Sequence, residues 1–184
     1  MKHKTVLYTQ AVSPIGNLLL TSDGAALTGL YFESHKAKPE WDAEWQRNDA
    51  MLEQACKQIA LYFEGRIQRF DMDLEVKGTE FQLRVWEALR GIPFGTTVSY
   101  SELAQTIGAP RAVRAVGAAV GRNPISIIVP CHRVVGSNGS LTGFAGGLER
   151  KRWLLEHERT VSLQVIPSTP DFNQIGRKQC LVPV

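Results

Sequence analysis

The chain has 184 residues, 43% hydrophobic and 21% charged, an ordinary globular balance with length for one large or two small cored domains. No apolar run approaches membrane-spanning length, and Met1–Thr5 lead into a strand-like pattern and not into a signal-peptide core. Three cysteines, Cys56, Cys131 and Cys180, are odd in number and lack metal-type spacing; this argues against a disulfide scaffold or zinc knuckle and for a reducing cytoplasm. Net charge is +3 but uneven: residues 1–79 carry nine Lys/Arg against eleven Asp/Glu, and residues 80–160 carry ten against six. The basic part suits a polyanionic partner, with solvated surface as the plainer alternative.

In chain order, the first third reads as antiparallel strands followed by one helix. Thr5 to Gln10 is strand-like, Ser13-Pro14-Ile15-Gly16 is a turn signal, Leu18 to Thr21 is a second strand, and Asp23-Gly24 is a hairpin dipeptide. Leu27 to Phe32 makes a third strand, and residues 34–47 read as a loop. The spacing of Leu52, Ala55, Cys56, Ile59 and Phe63 predicts a helix from about Asn48 to Phe63 stopped by Gly65, which makes Cys56 a core residue. Residues 71–78 look like a crossing strand and linker, placing a domain boundary near Gly78.

Thr79-Glu80-Phe81-Gln82 is a capping-box pattern opening a second helix, with Phe81, Val85, Trp86 and Leu89 on its apolar face and Gly91 at its end. Ser99-Tyr100-Ser101-Glu102 is another, opening a short helix through Ile107. After Gly108-Ala109-Pro110, a helix from Arg111 to about Gly121 completes a helix-turn-helix pattern. At about 100° per residue, Val113, Val116 and Val120 fall on one side. Arg111, Arg114, Ala118 and Arg122 fall on the other, with Ala115 and Ala119 flanking. Guanidinium groups among very small side chains suit close approach to a nucleic-acid groove; an alanine-rich helix with solvated arginines is the alternative.

Arg122-Asn123-Pro124 stops that helix, and an apolar run leads to Pro130-Cys131-His132-Arg133. A thiol becomes a strong nucleophile once ionised, which a nearby histidine or cation favours. Adjacent residues do not face each other, so His132 reaching Cys131 calls for a bridging water, and spacing nominates no carboxylate to orient the ring. A structural histidine stays open as the alternative. A last helix runs from Leu148 to about His157, with Trp153, Leu154 and Leu155 inward.

The run Asn123-Pro124…Ile128-Val129-Pro130-Cys131-His132-Arg133-Val134 resembles the active-site signature of O6-alkylguanine-DNA alkyltransferases. Ser99-Tyr100…Leu103-Ala104, Ala112–Gly117, Gly146-Gly147 and Trp153–Glu158 also fall where that family has them. The resemblance covers residues 80–158 strongly and 1–79 loosely. It implies an α+β fold: a small antiparallel sheet with a helix (ribonuclease H-like) over 1–78, a helical part with a winged-helix-like helix-turn-helix over 79–160, and an extension of unknown role over 161–184.

By position, the resemblance makes Cys131 the acceptor of the alkyl group from guanine O6 (and O4 of alkylthymine), in one irreversible displacement per molecule. His132 becomes the base acting through water, Glu158 its orienting carboxylate, Asn123 the hinge, and Tyr100 the residue meeting the flipped base or its phosphate and able to donate a proton to guanine N3. Arg114 fills the space left by the flipped nucleotide. Arg111, Arg122, Ala112, Ala115 and Ala119 approach the minor groove of double-stranded DNA, and Val120, Pro130, Val134, Phe144 and Ala145 line the base pocket. Phe144 replaces a common tyrosine, and Ala145 replaces a serine of some members. The zinc set of some members has no counterpart, so no metal or other cofactor is expected. A cytoplasmic monomer with no membrane partner is implied, and cooperative binding along DNA is left open. Two other readings stand beside this one: an alkyltransferase-like lesion binder, which Cys131 argues against, and a cysteine hydrolase, which needs no basic helix.

Overall fold

Three strands, β1 (Leu7–Ser13), β2 (Gly16–Ser22) and β3 (Leu27–Phe32), pair as an antiparallel meander; β1 alternates buried and exposed positions along its second half, whereas β2 and β3 are buried over most of their length. Gly16 takes a φ of +105° in the tight β1–β2 reversal, where Ser13 Oγ donates to its carbonyl at 2.6 Å. The structure, a computed structural model, describes residues 5–35, 38–40 and 42–163. The expected extension beyond 163, with Cys180, lies outside them.

The sheet is mixed and not wholly antiparallel. Within the stretch expected as loop, β4 (Gln46–Arg47) pairs parallel with β1, giving the order β3-β2-β1-β4. Helix α1 spans Glu53–Phe63 and starts later than the periodicity suggests, because Asn48 Oδ1 accepts the Met51 N–H at 3.0 Å and closes a turn first. Leu52, Ala55, Cys56, Ile59 and Phe63 are all buried. The helix ends in a Schellman pair, Gly65 N–H to Tyr62 O and Arg66 N–H to Leu61 O, with Gly65 at φ +71°.

The expected crossing strand at 71–78 makes one bridge, Leu74 beside Leu27. It goes no further because the same edge of β3 is taken at Leu30, which gives its N–H to Pro124 O (2.9 Å) and accepts from Ser126 N–H (3.0 Å). The sheet thus grips the run that leads to Cys131.

Helices α2 (Glu80–Arg90) and α3 (Tyr100–Thr106) both open with complete capping boxes, Thr79 with Gln82 and Ser99 with Glu102. A Schellman pair through Gly108 (φ +69°) turns the chain into α4 (Val113–Val120). Helix α4 begins two residues after the expected Arg111, because no side-chain oxygen at 109–112 caps its first turn. Trp86 Nε1 donates to Ala119 O at 2.9 Å and locks α2 to α4. Short strands β5 (Val98–Ser99) and β6 (Val134–Val135) pair parallel, and α5 (Leu148–Ser162) extends five residues past His157. Its added turn is held by Val161, buried against Gly65. No helix among the described residues is long and apolar enough to cross a membrane.

Candidate active site

The run from Asn123 to Cys131 is irregular backbone, buried except at the half-buried Pro124 and Ile128, and held by the Asn123 side chain. Ile127 has φ +71°, which a β-branched residue rarely adopts, and Ile128 N–H bonds Ser126 O at 2.8 Å across it. A second three-residue turn follows, with Pro130 at φ −81°, ψ 63° and Cys131 N–H on Val129 O at 2.8 Å. Asn123 holds this double turn: its amide donates to Val129 O (2.7 Å) and its oxygen accepts Ile125 N–H (3.0 Å). Strain of this kind persists only where surroundings over-determine it. Its product here is Cys131 at the start of a 3₁₀ turn, Cys131–Arg133, at 2% exposure.

Burial pushes the Cys131 thiol up to about 11, against lowering contributions from the Asn123 amide, the Lys151 charge and the N–H groups of Cys131 and His132. The thiol therefore rests protonated at neutral pH and needs a base.

That base stands beside it. Glu158, fully buried, accepts from five donors: Tyr62 Oη (2.8 Å), His132 Nε2 (2.7 Å), Gly95 N–H (3.0 Å) and both Nε and Nη2 of Arg133 (2.9 Å each). Burial alone would raise its pKa; the hydrogen bonds from His132 and Arg133 and the Arg133 charge outweigh burial and hold it far below the usual carboxylate range. An ionised carboxylate only accepts, so Nε2 of His132 carries the proton and Nδ1 carries the lone pair. Burial lowers the His132 pKa below its ordinary value, so the ring is neutral at pH 7. Its Nδ1 is buried with no hydrogen-bond partner among the described residues. A neutral imidazole with a fixed tautomer and a free lone pair is a general base.

Tyr100 is half-buried and donates to the carbonyls of Thr142 (3.1 Å) or Gly143 (3.2 Å); burial raises its pKa, and the neighbouring Cys131 charge adds to this. Val120, Pro130, Val134, Phe144 and Ala145 are all buried. On α4, Arg114 and Ala115 are exposed, as are Arg111 before the helix and Arg122 after it, and the three arginines make no ion pair among the described residues. Ala112 is half-buried. Ala119 does not share the exposed face expected for it: it is 3% exposed, because it lies about 60° around the helix from Val116 and packs under Trp86.

The chain matches two family descriptions, the 6-O-methylguanine DNA methyltransferase ribonuclease-like domain over residues 6–76 and the DNA-binding domain of the same methyltransferase over 80–160. The chain belongs to the 6-O-methylguanine DNA methyltransferase family. Methylated-DNA–protein-cysteine methyltransferases of Methanosarcina acetivorans and Haemophilus influenzae are 49% and 45% identical to this family member. They cover 79% and 83% of its chain and 94% and 86% of their own. A Mycobacterium tuberculosis OGT solved in complex with DNA has a TM-score of 0.80 at 47% identity, covering 84% of this methyltransferase-family chain and 94% of its own.

Sequence reasoning gives no role to Arg133, Tyr62, Gly95 or Lys151. Tyr62 lies on the buried face of α1, three residues after Ile59, and a buried tyrosine needs a partner for its hydroxyl; that partner is 96 residues away in sequence. Lys151 is fully buried, donating to Val134 O and Thr142 O. Burial brings its pKa down to about 8, with the Cys131 charge opposing.

Proposed function

We infer that this protein repairs DNA by moving the alkyl group of O6-alkylguanine, and of O4-alkylthymine, onto Cys131. The reading is supported most by the pairing of a buried, protonated thiol with a neutral histidine whose free Nδ1 is held in register by Glu158. His132 Nδ1 takes the Cys131 proton through a bridging water as the sulfur attacks the alkyl carbon. The S–C bond forms, the C–O6 bond breaks and its electron pair stays with the base, which receives a proton at N3 from Tyr100. The thioether has no route back to thiol, so each molecule reacts once.

A thiol at 2% exposure cannot reach a stacked base, so the nucleotide is flipped out. In this reading Arg114 occupies the space it leaves, and Arg111, Arg122, Ala112 and Ala115 lie along the minor groove. Phe144 and Ala145 roof the base, with Val120, Pro130 and Val134 as its walls. The protein acts as a cytoplasmic monomer, with residues 1–78 as support, 79–160 as the DNA-binding and acceptor part, and 161–184 as an extension.

The test is to incubate the protein with a duplex oligonucleotide containing O6-methylguanine and weigh the product. A gain of one methyl on Cys131, saturating at one per molecule and absent in Cys131→Ser, is the expected result. Tight binding without transfer would instead make the protein a lesion binder, and ester or amide turnover would make it a hydrolase.

A further inference from the structure

One strand of the N-terminal half touches both the floor and the roof of the reading's base pocket. At the floor, Leu30 of β3 exchanges hydrogen bonds with Pro124 and Ser126, at the head of the strained turn that presents Cys131. Two residues on, the fully buried Phe32 ring meets the roof. It packs edge-on against Phe144, with centroids 5.9 Å apart and planes at 61°. The Gly146 backbone lies so close to it that a Cβ there would stand 2.4 Å from Phe32 Cδ2.

Arg150 ties this junction together. Its Nε donates to Ile15 O in the β1–β2 turn (2.7 Å), and its Nη1 donates to Ser34 Oγ just past β3 (2.9 Å) and to Gly146 O in the roof (2.9 Å). The guanidinium carbon sits 5.3 Å from the centre of the Phe32 ring. Gly16 opposes Nη2 at 3.2 Å from where its Cβ would be, so the turn is shaped to the arginine. A planar fork serving three oxygens on three chain segments is a geometry that lysine cannot reproduce.

Resting on the alkyl-transfer reading, we propose that β3 and Arg150 form a gauge fixing the separation between the Cys131 floor and the Phe144–Gly146 roof, so that the N-terminal half sets which alkyl groups the pocket accepts. Arg150 is a positioning residue: it acts through Gly146 and Phe32 and meets neither DNA nor alkyl group. A fixed gap holds a methyl in line with the sulfur and resists a benzyl group. A released roof loses alignment for methyl and gives room to the larger group.

The experiment compares rates of methyl transfer and benzyl transfer from O6-methylguanine and O6-benzylguanine in the same duplex, for wild type, Arg150→Ala, Arg150→Lys and Ser34→Ala. Misplacement by about 1 Å costs on the order of a hundredfold in rate. Methyl transfer by R150A is expected to fall by about tenfold or more, with benzyl transfer falling less, so that the benzyl-to-methyl ratio rises. R150K is expected to be intermediate. S34A, which removes a single bond at an exposed edge, shifts the ratio in the same direction and keeps the test open if R150A does not fold. Purely structural damage lowers both rates in proportion. An unchanged ratio in these variants, with wild type transferring both groups, overturns the gauge alone. A wild type that transfers neither group overturns the underlying reading and the gauge with it.

Discussion

Glu158 illustrates how one residue couples chemistry to stability. Its folded-state pKa lies far below the ordinary carboxylate value of about 4.3, so the stability it contributes is present above about pH 4.3 and is lost as pH falls below it. His132 is lowered by burial from about 6.5, so the unfolded chain takes up that proton first and stability also declines below about pH 6.5. Both groups therefore make the fold acid-sensitive in the same direction. The transfer rate should fall only at lower pH, once the folded ring, its pKa lowered by burial, takes a proton and loses the lone pair on Nδ1. Melting temperature and methyl-transfer rate measured from pH 8 down to pH 4 check this; a rate that already falls above about pH 6.5 would mean that a group other than the buried His132 supplies the base. Glu158→Gln should abolish most transfer and cost about 3–5 kcal/mol, because it strands the buried Arg133 charge.

At the scale of elements, the strained turn pair and the exposed face of α4 make separate predictions. Asn123→Ala leaves Ile125 N–H buried without its acceptor, at a cost of about 1–3 kcal/mol. Val129 O keeps its bond from Cys131 N–H, so the chain still folds. Asn123→Asp should be worse in both stability and rate, because a carboxylate then faces Val129 O and the sulfur where an amide donated. Denaturant titration with single-turnover kinetics ranks the three proteins, and an N123D equal to wild type would deny the hinge its hydrogen-bonding role. On α4, Arg114→Ala should slow repair in duplex DNA far more than reaction with free O6-benzylguanine; equal losses would remove its part in flipping. These elements differ in how far the sequence reveals them. Capping boxes at Thr79 and Ser99 and the buried face of α1 follow from local spacing, because a helix writes its period into the chain. The double turn at 125–131 has no period, since it exists only because Asn123 and β3 converge on it. Ala119 reads as a groove residue from size alone, and only the packing of Trp86 shows that it faces inward.

Across the whole molecule, charge and packing act on the same event from opposite sides. The basic excess of residues 80–160, with Arg111, Arg114 and Arg122 unpaired among the described residues, requires affinity for DNA to fall steeply as salt rises. A flat salt profile would speak against phosphate contacts by that face. The long-range partners of the site, Tyr62 to Glu158 and Arg150 to Ile15, are invisible in sequence because they join residues more than ninety positions apart. They also mean that what happens at Cys131 is felt by both halves. Cys131 is 2% exposed, and the Asn123 amide and two backbone N–H groups favour its thiolate, so a methyl fixed on the sulfur crowds a tightly packed setting and removes the charge those groups favour. Overpacking a tight interior by one such group costs about 1–3 kcal/mol, and each kcal/mol lowers the melting temperature of a chain of this size by about 2–4 °C. The spent protein should therefore melt below the unreacted one, and the benzylated form below the methylated one. Thermal unfolding after reaction and removal of DNA measures this, with Cys131→Ser carried through the same incubation as a control that should not shift. An unchanged melting temperature after complete methylation would mean that the pocket around the sulfur yields without strain, contrary to its packing.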